Sequence, residues 1–159
     1  MMYRIVKVLN HNTFIGIRSK DKCKCLIMGK GIAFGRKVSE SISVGEDAKV
    51  YTLTELTERG SAEEIIRSVP PECLELAGEI LDHAEKVFGQ IDRSILFPMA
   101  DHLAFAVQRI RNQEQISNPL TEDIRILFHQ EYKVAKCAEQ LLRERLHVEI
   151  DEHEIGYIA

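Results

Sequence analysis

Met28-Gly29-Lys30-Gly31-Ile32-Ala33-Phe34-Gly35-Arg36-Lys37 sets three glycines, three cations and one phenylalanine in ten residues. The glycines let the backbone turn where a Cβ would clash. Cations beside an aromatic ring suit a polyanion with exposed flat bases, which is the chemistry of nucleic acid. A glycine-rich turn with solvated lysines fits the same residues, so the flanking sequence decides between them.

Short alternating runs lie on both sides. Tyr3 to Asn10 reads as a strand, with Tyr3, Ile5, Lys7 and Leu9 on one face and Arg4, Val6 and Val8 on the other. Asn10-His11-Asn12 reads as a hairpin turn, because asparagine tolerates left-handed backbone. Thr13 to Ile17, Lys24 to Met28 and Lys49 to Leu53 are the other predicted strands, with turns at Ser19–Lys22 and a polar loop over Val38–Asp47. The expectation is a small antiparallel sheet of four strands. So small a sheet is marginal alone, which predicts dimerisation.

After Thr54 the period changes from 2 to 3.6. Ser61-Ala62-Glu63-Glu64 has the pattern of a capping box, and Pro70-Pro71 ends that helix and starts the next. Leu74, Ala77, Ile80, Leu81, Ala84 and Val87 form a helical stripe that stops at Gly89. Pro98 opens a third helix with Met99, Leu103, Ala106, Val107 and Ile110 on its apolar side. Asn118-Pro119 breaks the pattern. A short helix from Thr121 to Phe128, a longer one from Glu131 to Leu146, and a last one capped by Asp151 and Glu154 follow. The fold class read from these patterns is α+β multidomain: a four-stranded sheet over residues 1–56, then an all-α helical bundle over 57–159.

Charge divides at the same place. Residues 1–55 hold ten Lys/Arg against five Asp/Glu (+5), and residues 56–159 hold eleven against twenty (−9), which together make the net −4. A basic head on an acidic body predicts that only the head meets phosphates. No apolar run approaches the ~20 residues that span a bilayer. The N-terminus does not read as a signal peptide. Four cysteines without paired spacing predict reduced thiols and a cytoplasmic location.

Several constellations bear chemistry. Asn10 and Asn12 offer carboxamides that read base edges or 2′-hydroxyls. Phe34 offers a stacking face, and Lys7, Lys30, Arg36 and Lys37 offer charge for phosphates. Asp101-His102 falls three and four residues after Pro98, which would place His102 in the first turn of a helix. The helix dipole there favours the neutral, nucleophilic imidazole, and free N–H groups nearby suit a phosphoryl group. Cys23-x-Cys25 lacks the second pair a zinc site needs, and Cys73 and Cys137 read as small core residues. His147 to Glu154 reads as a solvated loop and helix start. His11, His83 and His129 have no evident partners. No metal site, cofactor or catalytic nucleophile with its base is recognised, so no enzyme is expected.

Lys7-x-x-Asn10-x-Asn12, Gly29-Lys30-Gly31-Ile32-Ala33-Phe34 and Lys49-Val50-Tyr51-Thr52-Leu53 together resemble the co-antiterminator RNA-binding domain of the BglG/SacY/LicT family of bacterial transcriptional antiterminators. The run from Asp101 to Arg109, Asn118-Pro119, and Asp151 to Ala159 resemble the first sugar-phosphotransferase (PTS) regulation domain of that family. The resemblance implies a dimeric sheet that grips an antiterminator RNA hairpin through Lys7, Asn10, Asn12, Gly29, Lys30, Gly31, Phe34 and Arg36. It further implies control by histidine phosphorylation at His102, with Asp101 beside it. The phosphoryl donor would be the phosphocarrier protein or a sugar transporter subunit. The family's next histidine and second regulation domain would lie past Ala159, so the chain is expected to be a trimmed piece. The competing expectation is a DNA-binding regulator with a helical dimerisation or sensor domain, against which stands the absence of a recognition helix in the basic part.

Overall fold

Period-2 patterning in the N-terminal third produces a five-stranded antiparallel sheet in the computed structural model, which describes residues 1–53, 56–57, 60–112, 119–150 and 152–158. The strands are β1 (Met2–Asn10), β2 (Thr13–Arg18), β3 (Lys24–Met28), β4 (Ser41–Ser43) and β5 (Lys49–Thr52), in the order β4-β1-β2-β3-β5. The fifth strand is β4, inside the stretch expected to be a polar loop. Ile42 and Val44 alternate with serines there, and both are buried. Two apolar residues suffice for a strand when β1 supplies the register, Tyr3 opposite Ile42.

β1 also departs from simple alternation. Ile5 pairs with Gly16, but Lys7 pairs with Ile15 and Val8 with Phe14. This β-bulge adds one residue and reverses the facing of Lys7 and Val8, before a second register shift between Val8 and Asn10. Val8 therefore packs on the same core as Tyr3 and Ile5, and Lys7 leaves their face. That core comprises Tyr3, Ile5, Phe14, Cys25, Ile27, Ala33, Ile42 and Val44. The opposite face is covered as well, with Ile15, Leu26 and Tyr51 buried.

A short ribbon, β6 (Leu56–Thr57) with β7 (Gly60–Ser61), leads into helix α1 (Ala62–Ser68). Two compact units result, Met1–Pro71 and Glu72–Ala159. In the first, residues 66–71 border β1 at Lys7–Leu9.

The helical unit holds α2 (Pro71–Phe88), a 3₁₀ turn (Arg93–Ile95), α3 (Leu96–Arg111), α4 (Thr121–Leu127), α5 (His129–Ala135), α6 (Cys137–Leu146) and α7 (Glu152–Ile158). Leu74, Ala77, Ile80 and Leu81 are buried as the α2 stripe requires, but Val87 at its end is 56% exposed. Gly89 ends α2 at φ +81°, its N–H bonded to the Glu85 carbonyl. The single helix expected from Glu131 to Leu146 is two helices that meet at Lys136. The tighter bond from Glu139 N–H to the Lys136 carbonyl marks the junction. Asn118 and Asp151, read as a breaker and a cap, lie outside the described residues.

Candidate functional site

Four bonds assemble the basic end of the sheet. In the β1–β2 turn, Asn12 N–H donates to Asn10 Oδ1 at 2.9 Å. Gly31 N–H donates to Asn12 Oδ1 at 2.7 Å, across nineteen positions of sequence. Gly29 and Ala33 donate their N–H groups to the Asn12 and His11 carbonyls, each at 2.9 Å. The hairpin turn and the glycine loop are therefore one structure, held by main chain and one carboxamide.

The loop is three linked turns. Ile32, Phe34 and Arg36 N–H bond to the Gly29, Gly31 and Ala33 carbonyls, each at 3.1 Å. Gly31 and Gly35 sit at φ +68° and +71°, which L side chains disfavour. Gly29 has ordinary φ and room for a Cβ at contact distance. Ala33 is buried and pins the loop to the core, which leaves Phe34 67% exposed. The His11 ring meets Phe34 edge to face, with centroids 4.9 Å apart and planes at 88°.

Each expected RNA contact thus has a place. Asn10, Asn12, Gly29, Gly31 and Phe34 converge. Lys30 is exposed at the loop, and Arg36 is exposed near it, 3.7 Å from the Glu40 carboxylate. Lys7 is exposed on β1, three residues and so roughly 10 Å along the strand from Asn10. Asn12 differs in role from its expected left-handed turn chemistry. Among the described non-glycine residues, positive φ falls at Lys22, Ser39 and His147. Its Oδ1 accepts from Gly31 N–H, which leaves both amide N–H donors and one oxygen lone pair for a ligand. His11 has the partner that spacing did not reveal. Its signal was its position between two turn asparagines, opposite an aromatic across the loop.

His102 lies elsewhere than expected. α3 begins at Leu96, preceded by the 3₁₀ turn, so His102 is the seventh helical residue and not in the first turn. Pro98 is the third residue of the helix, where its missing N–H costs nothing. The free N–H groups belong to the first turn of α3, and His102 follows them by about a turn of chain. The imidazole is half-buried, as is Asp101. The start of α3 is braced by Arg93, whose guanidinium lies 3.0 Å from Asp82 and 3.4 Å from Glu85 on α2. All four thiols are free. No group of metal ligands occurs among the described residues, and no described helix is long and apolar enough to cross a membrane.

Comparison with known proteins places these parts. Residues 3–59 match the CAT RNA binding domain family and residues 78–159 the PRD domain family. Transcription antiterminator LicT of Bacillus subtilis is 29% identical over 157 residues, covering 98% of this chain and 56% of the relative. The beta-glucoside operon antiterminator of Dickeya chrysanthemi is 28% identical over 159 residues, 98% of this chain and 55% of the relative. The GlcA/glcB genes antiterminator of Staphylococcus carnosus is 28% identical over 164 residues, 99% of this chain and 55% of the relative. The chain thus spans about half the length of these relatives. The crystal structure of GlcT CAT-PRDI has the same fold, at TM-score 0.79 and 24% identity over 99% of this chain and 94% of that one.

Proposed function

We propose that this chain, which belongs to the BglG/SacY/LicT family and joins a CAT RNA binding domain to a PRD domain, binds an antiterminator RNA hairpin as a homodimer and so permits transcription of a sugar-utilisation operon. Residues 1–56 bind the RNA, and residues 57–159 regulate that binding. The bond from Gly31 N–H to Asn12 Oδ1 carries this reading. It joins the two halves of the surface, so carboxamides, cations and the Phe34 ring face one ligand together. An RNA with unpaired bases fits: Phe34 stacks on a base, Asn10 and the Asn12 amide nitrogen meet base edges or hydroxyls, and Lys7, Lys30 and Arg36 meet phosphates.

Titration of the chain against short RNA hairpins with internal loops, and against matching duplex DNA, at several salt concentrations tests this. Saturable, salt-sensitive binding to a hairpin is expected. Comparable affinity for duplex DNA, or none for any RNA, overturns it.

Regulation runs through His102 in this reading. A phosphocarrier protein or sugar transporter subunit of the PTS places a phosphoryl group on its ring, and Asp101 helps to orient it. The modification adds roughly two negative charges to a half-buried position in an acidic module. Repulsion across a dimer interface then changes which helix packing wins. A His102→Asp change in the chain should alter RNA affinity or dimerisation. If both stay the same, His102 has no regulatory role.

A further inference from the structure

Most arginines of the helical unit face carboxylates: Arg93 pairs with Asp82 and Glu85, Arg125 with Glu122, Arg143 with Glu139, and Arg145 with Glu79. Lys86 and Lys133 do not. They border a half-open cleft of about 380 Å³ with His83, Gln130, Val87 and Val134. Among the described residues no carboxylate lines it, although the module is strongly acidic. Asp82, Glu85 and Glu79, the acids nearest along α2, are the ones engaged by Arg93 and Arg145. Lys86 and Lys133 are exposed, and the apolar lining is Val87, Val134 and the half-buried Cys137.

We propose that this cleft binds a small organic phosphate, with Lys86, Lys133 and Gln130 on the phosphoryl oxygens and Val87 and Val134 against the organic part. A volume of this size admits a small molecule. Two lysine point charges favour a phosphate monoester, with roughly two negative charges, over a carboxylate with one. Its lining includes neither the expected RNA contacts nor His102, and it gives the helical unit a direct sensor of metabolite.

Phenyl phosphate is the probe, titrated into ¹⁵N-labelled full chain, with inorganic phosphate and benzoate in parallel. Saturable amide shifts at residues 83–87 and 130–137 are expected, with affinity at least about tenfold above that of inorganic phosphate. The doubly substituted Lys86→Gln, Lys133→Gln chain should bind about tenfold more weakly or not at all, and Lys30→Gln should leave these shifts unchanged. No saturable shift at those residues, or equal affinity for benzoate, overturns the proposal. So does unchanged binding in a double variant whose circular dichroism is that of the parent. If that variant does not fold, the shift map and the benzoate comparison on the parent chain decide.

Discussion

Asn12 does two jobs with one side chain. Its Oδ1 satisfies Gly31 N–H at 2.7 Å, and this bond sets the distance between turn and loop. Asn12→Ala should cost about 0.5–1.5 kcal/mol in urea unfolding and also weaken RNA binding. Asn12→Asp keeps the acceptor, so stability should return towards that of the parent while the new charge still repels phosphate. If the aspartate variant binds RNA normally, the amide nitrogen has no part in recognition. Phe34 presents the opposite balance. Its ring is 67% exposed, so Phe34→Ala should change stability by less than about 0.5 kcal/mol. RNA affinity should fall by roughly 1–3 kcal/mol, the worth of one stacked base. Equal losses in stability and affinity would show that the ring serves the fold instead.

At the scale of elements, β1 carries the arrangement. Its bulge lets Tyr3, Ile5 and Val8 share a core and sends Lys7 off that face. β4 closes the sheet on the other edge of β1 through a single buried isoleucine. Ile42→Ala should therefore cost about 2 kcal/mol or more by chemical denaturation, out of proportion to a three-residue strand. A cost below about 0.5 kcal/mol would mean that β4 adds little to the sheet. In the helical unit, the bonds from Arg93 to Asp82 and Glu85 tie the 3₁₀ turn to α2. They place the start of α3, and hence His102, without any contact to the imidazole itself being needed.

Across the whole molecule, the two units differ in charge. The basic unit should carry the salt dependence of RNA binding. Lys30→Ala is expected to reduce the slope of log affinity against log salt by about one, measured on a hairpin. An unchanged slope would remove Lys30 from the phosphate contacts. In the helical unit, burial chiefly, with Glu72 and Glu79 adding, pushes the Cys73 and Cys137 thiols up to about 11 from an ordinary value of 9.0. The folded state then holds these protons more tightly than the unfolded chain does. Their contribution is complete below about pH 9 and is lost as the pH rises through about 11. Denaturation midpoints of the parent should decline over that window, and less so for the Cys73→Ala, Cys137→Ala chain relative to its own value at pH 8.

Local periodicity and composition determined a good deal by themselves. The switch from period 2 to 3.6, the strands around Asn10–Asn12 and Gly29–Phe34, most helix limits and the charge asymmetry all depend on near neighbours in sequence, and all were legible there. So was the set of residue types at the basic surface. What needed tertiary structure depends on partners far along the chain. The facing of Lys7 and Val8 follows from a bulge set by pairing with β2. Ser41–Ser43 is a strand only because β1 lies beside it. Phe34 found His11 because a long-range bond brought the loop to the turn. The start of α3 moved to Leu96 because a 3₁₀ turn, held by Asp92 bonding to Ser94 N–H, precedes the proline, and that took His102 out of the first turn. The cationic cleft of the helical unit arose in the same way, since only packing brings α2 and α5 together and sets Lys86 and Lys133 at one opening.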